Sequence, residues 1–333
     1  MLRIPYEEML SQFKRVLLSR GLDDERADLC AAFFAQASLD GVYTHGLNRF
    51  PKFIEYIDIG IVDAAARAEA YESYGVLERW DGHHGIGNLN AHAAMSRAVK
   101  LAKSSSIGCV ALRNNNHWMR PGAYGLLAAD HDCIGICWTN TLPNMPPWGG
   151  TEAKIGNNPL VIAIPKEGGH VLLDIAMSLY SYGRLESYMR QDRELPYHGG
   201  FDSAGNLTKD AGAIFSSAQP LPIGYWKGSG LSIMLDLIAA VLSGGNTTRD
   251  IGEMKNETDC SQFFLAINLS AFPDRARIEE SIQATAQDLA ATARRDPGES
   301  VRHPGAGMMK IRDENAHLGI PVVEEIWSAV LAL

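Results

Sequence analysis

Between residues 66 and 274 the chain alternates short apolar runs with stretches of helical periodicity, and this alternation restricts it to an α/β architecture. Val76–Trp80, Gly108–Leu112, Ile134–Trp138, Leu160–Ile164, His170–Asp174 and Phe263–Asn268 read as strands. Asn88–Lys103 and Leu231–Leu242 read as helices, the second closed by Ser243-Gly244-Gly245. Both flanks are helical throughout. Leu10, Phe13, Val16 and Leu17 share one face of a helix over Tyr6–Ser19, stopped by Gly21. A second helix runs from near Asp23 to about Ser38 on Leu29, Ala32, Phe33 and Gln36, and a third, from Leu47 to Gly60, carries Pro51 in its first turn. Ile278, Ile282, Ala286 and Leu289 predict the buried stripe of a helix over Arg275–Arg295, and Ile320–Leu333 is again helical. The expected division is a helical unit from residues 1–65 plus about 275–333, and an α/β unit from about 66–274, with no flexible linker between them.

Charge narrows the partners. Thirty Lys and Arg against 39 Asp and Glu leave a net charge of −9, the wrong sign for a generic nucleic-acid binder. The apolar stretch Leu235–Leu242 is broken by Asp236 and falls short of the roughly 20 residues a bilayer needs, so no membrane partner is expected. The first residues lack an apolar core behind basic ones, which points to the cytoplasm. Cys30, Cys109, Cys133, Cys137 and Cys260 are odd in number and scattered, as reduced thiols are. Cys133 and Cys137 alternate along a strand without a second Cys or His pair, and no metal site is expected.

A dinucleotide fingerprint would be sought at Gly85-Ile-Gly87-Asn-Leu-Asn90, which follows a strand and opens a helix. The third glycine is Asn90, and no acidic residue closes a strand about twenty residues on, so the fold is not of the Rossmann type. Polar residues concentrate in four other places. Tyr43-Thr44-His45-Gly46-Leu47-Asn48-Arg49 joins a proton-transfer group to a cation able to clamp a carboxylate, though His45 could equally cap a helix. Arg113-Asn-Asn-Asn-His117-Trp118-Met-Arg120 follows a strand's carboxyl end, where α/β folds place sites, and could also be an Asn-rich turn. Thr139-Asn140-Thr141 ends the next strand in the same way. Gly224-Tyr-Trp226-Lys227-Gly228-Ser229-Gly230 lies before a helix, as a phosphate cradle or as a plain glycine turn.

Those runs, with Met145-Pro-Pro-Trp148-Gly149, Asn158-Pro159-Leu160 and Asn206-Leu-Thr-Lys209, resemble the malate/L-lactate dehydrogenase family that is unrelated to the Rossmann-type enzymes of similar name. The resemblance extends from about Tyr6 to Leu333. It implies a helical domain packed on an α/β domain with a mixed, largely antiparallel sheet, a homodimer, and a nicotinamide cofactor, NADH or NADPH. It implies reduction of a small anionic keto acid at its 2-keto carbon, with the sugar-derived 2,3-diketo-L-gulonate, giving 3-dehydro-L-gulonate, as the expected substrate. A malate, lactate or ureidoglycolate type of 2-hydroxy acid dehydrogenase is the alternative, and an idle sugar-acid or nucleotide sensor a third. By the same resemblance His45 is the proton donor. His117 matches an acid/base histidine of a ureidoglycolate-oxidising relative, and Thr141 a substrate-contacting serine there. Arg49 would hold the substrate carboxylate, with Arg120 beside it, and Thr44 stands where the family usually has serine. Cofactor contacts carry over to Leu172, Leu173, Asp174, Ile175, Ala176, Met177 and Ser178, to Trp226 and Lys227, and to Gly305, Ala306 and Gly307. The last two stand where the family commonly carries an acidic residue, and its loss would either weaken a ribose contact or relax the choice between NADH and NADPH.

Overall fold

Helix formation at the amino end follows from apolar spacing and from its stops. The computed structural model describes residues 2–254, 256–296, 298 and 300–333. Strand β1 (Arg3–Ile4) precedes α1 (Tyr6–Ser19), whose buried Met9, Phe13, Val16 and Leu17 recur every three or four residues; Gly21, at φ +85°, ends the turn beyond it. Helix α2 (Asp24–Leu39) starts where the Asp23 carboxylate accepts from the Arg26 N–H at 2.8 Å. Short 3-10 turns over Tyr43–His45 and Leu47–Arg49 lead into α3 (Phe50–Asp58), with Pro51 in its first turn.

Strands β2 (Glu69–Tyr74) and β3 (Leu77–Asp81), helix α4 (Gly87–Ser105), strand β4 (Ile107–Asn115), helix α5 (Gly122–Asp130) and strand β5 (Cys133–Thr139) follow. Then come β6 (Leu160–Ile164), β7 (Val171–Ile175), α6 (Tyr182–Arg190), the hairpin β8 (Gly200–Phe201) and β9 (Leu207–Thr208), α7 (Ala211–Ser217), α8 (Trp226–Ser243) and α9 (Thr248–Gly252). The chain closes with β10 (Cys260–Asn268), α10 (Arg275–Ala291), α11 (Ala306–Leu318), β11 (Ile320–Pro321) and α12 (Glu324–Ala332).

Seven strands form one sheet in the order β2-β3-β4-β10-β5-β6-β7, in which β3 and β4 alone run parallel. The sheet is mixed and mostly antiparallel, as expected. Alternation along each strand divides the core in two. Val110, Leu112, Cys133, Cys137, Val161 and Phe264 face α4 and α5. Ala111, Trp138 and Phe263 face Leu235 and Ala239 of α8. A third core is helical: Phe13, Phe34, Phe50 and Phe53 pack with ring centroids 4.2 to 6.2 Å apart, and Trp327 and Val330 of α12 join them.

Several expectations need correction. The fully buried face of α2 is Ala27, Cys30, Ala31, Phe34 and Ala35, while Leu29, Ala32, Phe33 and Gln36 are half-buried. The helix lies between two layers, so Phe33 reaches back to His92 and Tyr124 at ring separations of 5.7 and 5.8 Å. In α10 no residue is buried and Leu289 is exposed. Its described polar contacts go to Asp132 and Glu167 of the sheet region rather than to the helical core, through Arg275, Glu279 and Gln283. Helix α8 starts five residues earlier than expected and takes Gly228-Ser229-Gly230 into its first turns; a Cβ on Gly228 would lie 2.0 Å from the Ile223 carbonyl oxygen. At 18 residues it becomes the one described helix long and apolar enough, by length and composition, to cross a membrane, although one side of it packs on the sheet. The C-terminal tail opens with strand β11, paired to β1, before its helix begins. All five cysteines are free thiols.

Candidate active site

The corner after α2 places His45 by close packing. Ser38 Oγ donates to the Phe34 carbonyl at 2.9 Å and accepts from the Leu47 N–H at 2.8 Å, so the turn is stitched to the helix it leaves. Gly46 fits against it only because a Cβ there would meet Ser38 Oγ at 2.2 Å. Thr44 Oγ1 lies 3.2 Å from His45 Nδ1, and its methyl packs on Gly183 at the start of α6. Phe50, buried in the helical core, anchors the segment just past Arg49.

The loop after β4 brings His117 to the same place. Asn116 Nδ2 donates to the His84 and Gly85 carbonyls at 2.7 and 3.0 Å, and Asn115 Nδ2 donates to Gln262 Oε1 at 2.9 Å. Gly87 lies beneath, where a Cβ would come within 2.3 Å of the His117 carbonyl oxygen. The two imidazoles stack with centroids 5.7 Å apart and planes 12° from parallel. His117 Nδ1 accepts from the Met119 N–H at 3.0 Å, so in the neutral ring the proton sits on Nε2.

Both rings are partly buried, and His117 lines a small cavity together with Arg49, Phe53, Tyr56 and Met119. Desolvation, then the positive charges of Arg49 and Arg120, hold the His45 pKa down at about 4. Desolvation, then Arg49 and His45, push His117 well down as well. Two carboxylates lie within the field of these arginines. Crowding raises the Glu257 pKa against the pull of Arg49. Asp174, open to solvent on one side, is raised by the protein packed around it against the pull of Arg120, and its Oδ2 accepts from the Gly122 N–H at 2.9 Å.

Arg120 is nearly fully buried. One of its terminal nitrogens pairs with the Asp40 carboxylate, the other lies 2.9 Å from Met308 Sδ, and Nε is buried without a partner among the described residues. Trp118 packs in the sheet core against Tyr124, so it shapes the loop from below. Thr141 is buried, with its hydroxyl 3.3 Å from both Asn157 Oδ1 and Asn158 Oδ1. Arg113 ion-pairs with Asp81 and lies over the Tyr71 ring, away from the histidines.

The three cofactor segments come together along β7. The Leu172 N–H donates to the Pro304 carbonyl at 3.1 Å, which seats Gly305 against the strand's start; Gly305 has φ +90°, and a Cβ would lie 3.0 Å from the Leu172 nitrogen. Past the other end, the Ile223 N–H donates to the Met177 carbonyl at 2.8 Å and Ser178 bridges Pro222, so the segment that opens α8 at Trp226 and Lys227 starts from the end of β7. Trp226 is 63% exposed, with Lys227 Nζ 6.0 Å from its ring centroid. Ser178 Oγ is buried with no partner. An orphaned hydroxyl, an exposed aromatic face, a cation and an uncapped α11 amino end along one edge strand suit a dinucleotide. Leu173 and Ile175 lie in β7 with Ala176 just past it, and Ala306 and Gly307 open α11.

Sequence reasoning passed over Asp40, Glu257 and Arg312. Glu257 lies in the run Asn256-Glu257-Thr258-Asp259 and Arg312 in Arg312-Asp313-Glu314-Asn315, which read as ordinary solvated charge, and Asp40 stands apart from them; in the fold Arg312 Nε and Nη2 donate to the Asp40 carboxylate at 2.6 and 2.9 Å. The chain is 45% identical over all 333 residues, covering 100% of both chains, to the 2,3-diketo-L-gulonate reductase of Citrobacter koseri. Among solved structures it is similar to malate dehydrogenase from Entamoeba histolytica, with TM-score 0.93 and 26% identity, covering 99% of this chain and 98% of that one. Malate dehydrogenase from Pyrococcus horikoshii OT3 superposes with TM-score 0.88 at 28% identity, covering 98% and 92%. A family model described as malate/L-lactate dehydrogenase matches residues 4–331, and with full-length relatives at this identity the chain belongs to that family of 2-hydroxy and 2-keto acid oxidoreductases.

Proposed function

We propose that the protein reduces 2,3-diketo-L-gulonate to 3-dehydro-L-gulonate. The observation that carries the chemistry is the stacked pair of desolvated, neutral histidines beside Arg49. Arg49 binds the substrate carboxylate, with a planar fork that matches it. That contact sets the 2-keto group over the imidazoles and offsets the charge that keeps His45 neutral, so the ring takes up a proton from solvent on binding and delivers it to the carbonyl oxygen. His117, fixed as an Nε2 donor by the Met119 N–H, hydrogen-bonds the same oxygen and stabilises charge developing there. Thr44 orients the His45 ring through Nδ1, and Thr141 holds the floor of the pocket through its asparagine partners.

A nicotinamide dinucleotide supplies the hydride when bound. Leu172 to Ser178 would carry it along β7, with Trp226 and Lys227 at one end and Gly305, Ala306 and Gly307 at the other. NADH is the cofactor in this reading. Ala306 and Gly307 present no carboxylate, so NADPH is accepted too. The exposed stripe of α8, Met234, Leu237, Ile238 and Val241, continues from Trp226 and fits burial against a second copy, giving a homodimer. Five free thiols fit a cytoplasmic setting.

The test is nicotinamide absorbance with the purified protein, NADH and NADPH, set against 2,3-diketo-L-gulonate, oxaloacetate, pyruvate and, in the oxidative direction, ureidoglycolate. A kcat/KM for the diketo acid orders of magnitude above the rest is expected. A preference for oxaloacetate or pyruvate would move the chain to the malate and lactate type that its structural neighbours represent.

A further inference from the structure

Strand β10 lies between β4 and β5, so the residues that lead into it are flanked by the two loops that carry His117 and Thr141. Its antiparallel register sets Cys260 against Asn115 of β4 and Gln262 against Thr139 of β5. Continued past the strand ends, the lead-in runs back along Asn116 on one side and along Asn140 and Thr141 on the other. Polar contacts hold it there. Thr258 Oγ1 donates to Asn116 Oδ1 at 2.8 Å, Asp259 Oδ1 lies 3.0 Å from His84 Nδ1, and on the other flank the Asn140 N–H donates to the Ser261 carbonyl at 3.0 Å. Glu257, next along this lead-in, is half-buried. The Leu142 N–H donates to its carboxylate, whereas Arg49 acts on it by charge alone, without a hydrogen bond. A guanidinium and a carboxylate thus stand near each other, beside both loops, without closing into a hydrogen-bonded pair.

We propose that Glu257 reads the far end of the substrate: with the acid's own carboxylate on Arg49, Glu257 accepts hydrogen bonds from hydroxyls beyond the reacting keto group and turns away a second carboxylate. The inference rests on the 2,3-diketo acid reading. An ionised carboxylate is an acceptor only, which suits a chain of hydroxyls, each able to donate. A dicarboxylic keto acid of the oxaloacetate type has no such donor and brings its second charge toward Glu257, where like charges oppose binding. Discrimination then comes from a built-in repulsion as well as from a contact made. Glu257 separates polyhydroxylated keto acids from dicarboxylic ones, while Arg49 and the histidines serve both.

The experiment compares 2,3-diketo-L-gulonate with oxaloacetate at pH 8 in the wild type, Glu257→Gln and Glu257→Asp, with NADH binding followed by fluorescence. Glu257→Gln keeps the shape and removes the charge. Its kcat/KM for the diketo acid should fall about tenfold through KM, and that for oxaloacetate should rise about tenfold, with NADH binding held within about twofold. A gain on one acid beside a loss on the other is a result that weakened support for the two loops does not give. Glu257→Asp keeps the charge but draws it back by one methylene, so it should weaken the diketo acid about tenfold and leave oxaloacetate as poor a substrate as before; if Glu257→Gln does not fold, this variant carries the test. Equal losses on both acids, or no change on either, overturn the proposal while the diketo acid reading stands. A wild type that does not reduce the diketo acid sinks that reading and this inference together.

Discussion

Substrate binding should draw a proton into the crevice. In the free protein the His45 pKa lies at about 4 because of desolvation and the facing charges of Arg49 and Arg120. A substrate carboxylate on Arg49 offsets that charge. At about 5 Å from the ring, with an effective dielectric near 20, it favours the imidazolium by roughly 3 kcal/mol, or about 2.4 pKa units. This returns His45 to about 6.5. At pH 5.5 the ring then passes from about 0.03 protonated to about 0.9, so binding takes up close to one proton; by pH 8 the uptake falls to almost nothing. The sign follows from a bound-state pKa above the free one, and affinity for the keto acid rises as pH drops from 8 toward 5. Calorimetric titration with the diketo acid and oxidised cofactor, repeated in buffers of different ionisation enthalpy, counts the protons directly. His45→Gln should abolish the uptake. Binding at pH 5.5 without proton uptake, or uptake that survives His45→Gln and disappears in His117→Gln, would refute His45 as the proton donor.

Three more outcomes follow from packing. Gly87→Ala puts a methyl 2.3 Å from the His117 carbonyl oxygen and 2.5 Å from that of Asn116; the loop must shift, so kcat/KM should fall on the order of a hundredfold, with about 1–3 kcal/mol lost in urea melts, and unchanged kinetics would show that the loop yields freely. Phe34→Ala empties the centre of the helical core and should cost about 3–5 kcal/mol of unfolding free energy by denaturant titration. Met234→Glu with Val241→Glu charges the exposed stripe of α8, and light scattering should report a dimer for the unsubstituted protein and a monomer for the variant; a monomer for both would refute the proposed interface.

The sequence was most readable where one face of an element meets a single core. The α1 stripe at Phe13, Val16 and Leu17 is such a case, as is the alternation in β6. Reading failed where burial does not follow one face. Helix α2 touches two layers, so both its faces carry apolar residues and periodicity picks out the lesser one. Strand β2, Glu-Ala-Tyr-Glu-Ser-Tyr, is exposed along its whole length at the sheet edge and has no apolar signal to show. Helix α5, Gly-Ala-Tyr-Gly-Leu-Leu-Ala-Ala-Asp, resembles a loop because its glycines permit contact with the sheet; a Cβ on Gly125 would lie 2.6 Å from a Val161 methyl. In the crevice, His45, Arg49 and His117 stand in dense polar runs and could be singled out as candidates. Asp40 and Arg312 mean nothing until the fold sets them together.

The pairing of β1 with β11 has a consequence for synthesis. Arg3 and Ile4 pair in register with Pro321 and Ile320, and Trp327 and Val330 fill the core that α1 and α3 begin. The layer that carries His45 is therefore made from segments more than 300 residues apart in sequence, and its closure must wait for the later segment to be synthesised, whereas β3 through β10 can pair beforehand. A nascent chain stalled before residue 320 carries its sheet and its His117 loop but not the wall that holds His45, so its site should stay silent until the strand at Ile320 has met the one at Ile4.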